Sequence, residues 1–150
     1  MNILRIAFFG LALLWSKALL GVPLPPIGPV DVEGRIEKAV WVPEERLKGR
    51  PGLSGSLGRD RTIPAHFLIT LADYQGVEPP TARALTRCLT NRPVGGSDPK
   101  EKPPFLLLKI HHEDRRLLKA GMRVRIKGYT IRGDEGGTWT SYQVLEILRP

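Results

Sequence analysis

Three histidines, a serine-bearing glycine loop, two adjacent carboxylates and a row of cations are the groups in this chain that could do chemistry. His111 and His112 are neighbours, so an extended backbone sends their rings to opposite faces and a helix sets them about 100° apart. Neither geometry makes a chelate. His66 lies far away in sequence, with Glu113 or Asp114 as a third donor, but zinc-type ligand spacing is missing and no metal site is expected. Acid/base work by His66 with His111 or His112 would need the rings to meet within hydrogen-bond reach. Ser54 and Ser56 in GLSGSLG lack the preceding strand and following helix of a nucleophile elbow, and no Gly-Lys-Ser/Thr marks a phosphate loop. Asp134 and Glu135 fall in a glycine-rich turn, where adjacent acids face water. These residues lead us to expect no enzyme activity and no cofactor.

The cations are more informative. Met122, Val124 and Ile126 alternate with Arg123, Arg125 and Lys127, the period of a strand with one buried and one wetted face. With Tyr129 and Arg132 beyond it, the row is a candidate anion-binding surface. The competing account is an ordinary solvated strand face. Trp41, Tyr74 and Trp139 fall near predicted strand ends and are candidate partner contacts.

Five predicted strands position these residues. Residues 31–42 (DVEGRIEKAVWV) alternate, with a bend expected between Gly34 and Lys38. Residues 64–73 turn Phe67, Ile69 and Leu71 to one side and His66, Leu68 and Thr70 to the other. Residues 73–76 make the turn that follows. Residues 105–110 (FLLLKI) are apolar enough for both faces to be covered. The cationic strand follows, and residues 139–148 (WTSYQVLEIL) close the chain after a glycine-rich turn. Two short helices are predicted. One lies within residues 79–91, with Thr81 as its cap, and one in HHEDRRLLKAG (111–121), with acids first and Gly121 last. Residues 44–62 and 92–104 read as long loops, the first of them mobile.

The segments VEGRIEKA, FLITLADYQG, LLKAGMRVRIKGY and YQVLEIL together resemble the OB-fold (oligonucleotide/oligosaccharide-binding) superfamily over residues 30–148. The resemblance implies a mainly β fold, a five-stranded Greek-key barrel with one or two short helices and long loops. It also implies a helix directly between the third and fourth strands; in such a barrel the loop aromatics Trp41, Tyr74 and Trp139 suggest a partner surface at the mouth. An SH3-like barrel or a small β-sandwich is the structural alternative.

At 150 residues and 41% hydrophobic content, the chain holds one domain with a modest core. Its net charge of +8 favours anionic partners, and Arg5 and Lys17 contribute two of those charges. Residues 1–21 have the layout of a secretory signal peptide: Arg5, an uncharged stretch IAFFGLALLW, then Ser16-Lys17-Ala18 as a cut site. An uncleaved anchor is the alternative, although the apolar stretch is short of the roughly 20 residues a span needs. Residues 22–29 form a proline-rich spacer and residues 30–150 the domain. Cys88, the single cysteine, is expected to be buried and inert on a helical face with Ala84, Leu85 and Leu89.

The expectation is an exported, periplasmic or extracellular, non-catalytic binding module of the cell envelope that recognises a protein partner or an anionic polymer. The alternative is a single-stranded nucleic-acid-binding OB module whose N-terminal segment is a membrane anchor or is no export signal at all. The outward residues of the second and third strands are aliphatic and lack interleaved aromatic and basic residues, which counts against nucleic acid.

Overall fold

A computed structural model describes residues 25–90, 98, 100–133 and 139–149. The expected signal segment, the first three residues of the spacer (22–24), and the turn holding Asp134 and Glu135 lie outside the described residues. The elements in chain order are β1 (Ile27–Val42), β2 (Glu45–Leu47), β3 (Arg61–Ile63), β4 (His66–Gln75), α1 (Pro79–Thr90), β5 (Leu106–His111), β6 (Arg123–Gly133) and β7 (Trp139–Leu148).

Five strands form one antiparallel sheet in the order β5-β4-β1-β6-β7, so the first strand is the central one. It starts at Ile27, inside the expected spacer, and Ile27 and Val30 pair with Ile131 and Tyr129. The expected bend is present. Register shifts fall between Glu33 and Arg35 and between Ile36 and Lys38. Gly34 sits where a Cβ would press on Ala72 O and Tyr74 Cα at 3.2 Å, which explains a glycine at this crossing. The turn after β4 depends on Gly76, whose φ of 90° and contact with the Asp31 carbonyl leave no room for a side chain.

Alternation sets the core. Phe67, Ile69 and Leu71 of β4, Leu106, Leu108 and Ile110 of β5, and Val124, Ile126 and Ile131 of β6 are buried together with Val32 and Ile36. α1 covers the β5 side with Ala82 and Leu85. Its first residues are Pro79 and Pro80, which tolerate the first helical turn because their missing N–H groups would be unpaired there. The Glu78 carbonyl accepts the Ala82 N–H at 2.9 Å, so the helix begins earlier than a Thr81 cap would set it.

Two expectations about the connections are overturned. The segment 112–121 is a series of turns and contains no helix. His112 Nδ1 accepts the Asp114 N–H and Asp114 Oδ1 accepts the Arg116 N–H, local bonds that replace helical ones. Leu118 is thereby driven into the core, and Gly121 and Met122 exchange bonds with Ile36 at the β1 bend. The helix therefore lies between β4 and β5, not after β5. The stretch 44–62 holds a small second sheet, β2 paired with β3, and Asp60 Oδ1 accepts the Gly49 N–H at 2.8 Å across it.

The outer strands β5 and β7 approach each other without a backbone ladder among the described residues, so the sheet is open. Side chains bridge the gap. Ser141 Oγ donates to the Lys109 carbonyl at 2.6 Å, Lys109 Nζ donates to the Trp139 carbonyl at 2.6 Å, and Tyr129 Oη accepts the Lys109 N–H at 3.0 Å.

Candidate functional site

Register decides what the cationic row can do. β6 lies between β1 and β7, which places Glu33 opposite Arg125 and Glu146 opposite the same arginine on the other side. Glu33 accepts from Arg125 at 2.9 Å and from Arg123 at 3.4 Å, while Glu146 accepts from Lys127 at 2.7 Å. Hydrogen bonds from Arg125 and then Arg123 hold the Glu33 carboxyl below the usual carboxylate range. Three cations thus face two carboxylates in one exposed ladder. What remains for an anion is close to a single charge.

The other expected contacts separate. Tyr129 is fully buried because a bulge at Gly128, φ 63°, shifts the register between Lys127 and Thr130 and turns the ring inward. Burial pushes its hydroxyl pKa far up. Tyr74 is also buried, its hydroxyl donating to the Pro103 carbonyl at 2.8 Å. It belongs to β4 and not to a turn. Neither tyrosine is a surface contact, which corrects both assignments. Arg132 is exposed at the far end of β6, opposite Thr140. Trp139 is half-buried, packed on the core. Trp41 is half-buried at the end of β1 and lines a cleft of about 480 Å³ with Glu44, Pro64, His111 and His112.

Folding does bring two histidines together. His66 and His111 are cross-strand partners on β4 and β5, their rings edge-on with centroids 5.9 Å apart. His66 Nδ1 lies 2.9 Å from the Pro64 carbonyl and so carries the proton there. His111 Nε2 accepts the Ser141 N–H at 3.3 Å. Burial is the main cause that lowers both imidazole pKa values, which keeps the pair neutral near pH 7. No hydrogen bond joins the rings, and among the described residues no group of three or more His, Cys, Asp or Glu side chains could hold a metal ion. His112 is exposed and engaged by Asp114.

The surface with the least internal explanation is β7. Among the described residues it has a paired neighbour on one side only, and side-chain hydrogen bonds join it to β5 at Trp139 and Ser141. From there to Leu148 no described strand pairs with its outer edge. Tyr142 and Val144 are 58% and 62% exposed and share a face with Glu146 and Lys127. At the strand's end, Ile147 and Leu148 join Met122 in a groove of about 670 Å³ rimmed by Arg35, Lys119, Arg123 and Arg149. Sequence reading missed this surface, because alternation in β7 marks a strand without saying that it lies at a sheet edge.

No protein-family model, curated protein or solved structure matches this chain. No helix among the described residues is long and apolar enough to cross a membrane.

Proposed function

We propose that this chain is an exported, non-catalytic binding module of the cell envelope that recognises a protein partner as an extended segment added along β7. The observation that carries the reading is the open β7 edge with Tyr142 and Val144 exposed beside it. An edge strand offers a row of N–H and C=O groups to another chain, and exposed apolar side chains on its face supply selectivity. Of the two partner classes the sequence admits, a protein is favoured over an anionic polymer, since Glu33 and Glu146 occupy most of the cationic row.

The barrel is proposed to be OB-like. The order β5-β4-β1-β6-β7 becomes the ring expected of that superfamily when β5 and β7 are joined, and the bonds of Lys109 with Trp139 and Ser141 draw those two strands together. Export is supported by the basic, apolar and small-residue order of residues 1–21. N-terminal sequencing of the product from a secreting host should find cleavage after Ala18 or Gly21, and an intact Met1 in the cytosol would overturn export.

The binding claim is tested by panning a displayed random-peptide library against the full chain. Selected peptides should bind Tyr142→Glu/Val144→Glu about tenfold more weakly or worse, the loss expected from two apolar contacts. Both side chains are exposed, so the variant keeps the core intact. Equal binding to the variant would place the peptides elsewhere and overturn the reading.

A further inference from the structure

The groove at the end of β7 differs from the ladder beside it in how its charges are used. Arg123 is engaged by Glu33, and Arg35 by Glu37 at 3.0 Å and Asp73 at 3.3 Å. Lys119 and Arg149 are exposed and make no ion pair among the described residues. Between them lies an apolar floor of Met122, Ile147 and Leu148, with Ile147 39% exposed. Two cations with no ion-pair partner among the described residues, over an apolar floor, are complementary to a carboxylate that carries an apolar side chain beside it.

The groove also sits where an added strand would run out of sheet. β7 runs from Trp139 to Leu148, so a segment added parallel to it from Tyr142 onwards would bring its C-terminal end to Leu148. A chain terminus offers the required pair on one residue: an α-carboxylate, ionised at neutral pH, and an apolar side chain. An internal apolar segment would leave the cations unanswered.

We propose that the groove captures the free C-terminus of the partner, with the carboxylate between Lys119 and Arg149 and the last side chain against Met122 and Ile147. The proposal rests on the β7 reading. It narrows the partner class to proteins with an apolar C-terminal residue.

The test is fluorescence anisotropy on the full chain with labelled pentapeptides ending in Val, Leu, Ile or Phe, each made as the free acid and as the amide. The acid should bind about tenfold or more tightly than the amide, the size of a charge-assisted contact. Lys119→Glu/Arg149→Glu should remove that difference while leaving the unfolding midpoint close to the parent's, since both residues are exposed. Equal binding of acid and amide, both weakened by Tyr142→Glu/Val144→Glu, would overturn terminal capture and leave the β7 reading standing. No binding of either form would overturn both.

Discussion

Ser141 donates its hydroxyl to the Lys109 carbonyl at 2.6 Å in a buried position, joining β7 to β5 where no backbone ladder does. The same lysine is held at its N–H by the Tyr129 hydroxyl and at its ammonium by the Trp139 carbonyl. One residue of β5 is thus tied to both strands of the β6–β7 hairpin. Beyond these bonds no described strand pairs with the outer side of β7, so the device that draws the sheet edges together lies at the start of the open edge.

Removing either hydroxyl should loosen this junction. Ser141→Ala removes the hydroxyl that donates to the buried Lys109 carbonyl, and Tyr129→Phe removes the oxygen that accepts the Lys109 N–H. Each should cost about 1 kcal/mol in urea unfolding, the net worth of one intramolecular hydrogen bond. A midpoint equal to the parent's would show that β5 and β7 are not joined this way.

The cationic ladder makes a prediction of opposite sign to a simple basic patch. Replacing Arg123, Arg125 and Lys127 with Ser together with Glu33→Gln and Glu146→Gln should leave retention on a sulfated polysaccharide column nearly unchanged, because the five groups sum to a single charge. Glu33→Gln/Glu146→Gln alone should instead raise the salt needed for elution, as three cations are released. Much weaker retention of the fivefold variant, with no gain for the glutamine variant, would restore the row as an anion site.

The two histidines should make stability fall with acidity. Both folded pKa values lie below the ordinary 6.5, so the unfolded chain takes up protons first. Their contribution is complete above that value and is lost as pH drops below it towards the folded values. Unfolding midpoints measured from about pH 7 to about pH 5 should decline, and His66→Gln/His111→Gln should flatten the slope. An unchanged slope in the variant would assign the decline to other groups.

Cys88 is half-buried, and burial raises its thiol pKa. A disulfide reagent at mildly alkaline pH should therefore react slowly with the folded chain and quickly after denaturation. Equal rates would mean that the outer face of α1 is uncovered.

Much of the sheet is legible in the sequence, for a local reason. Phe67, Ile69 and Leu71 alternate with the less buried Leu68 and Thr70, Val124 and Ile126 alternate with cations, and Gly34 marks the bend in β1. The terminal strand is bounded correctly from its pattern alone. What escapes is set by pairing between distant segments. Arg125 meets Glu33 across 92 residues of sequence, a contact that only the β1–β6 register reveals. One bulge at Gly128 reverses the side to which Tyr129 points, so parity counted from Arg123 gives the wrong face. In HHEDRRLLKAG the acids-first, glycine-last order suggests a helix, but Asp114 and His112 satisfy backbone N–H groups locally and the turns win. The exposure of β7 follows from its place at the sheet edge, which its own residues do not encode.

The most direct test of partner recognition along β7 is a residue-resolved NMR titration of the full chain with a peptide selected against it. Backbone amide shifts and exchange protection should concentrate in residues 142–149, with no comparable change in β4 or in the cationic row of β6. Changes confined to the Trp41 cleft or to Arg123, Arg125 and Lys127, with β7 amides unaltered, would contradict the account.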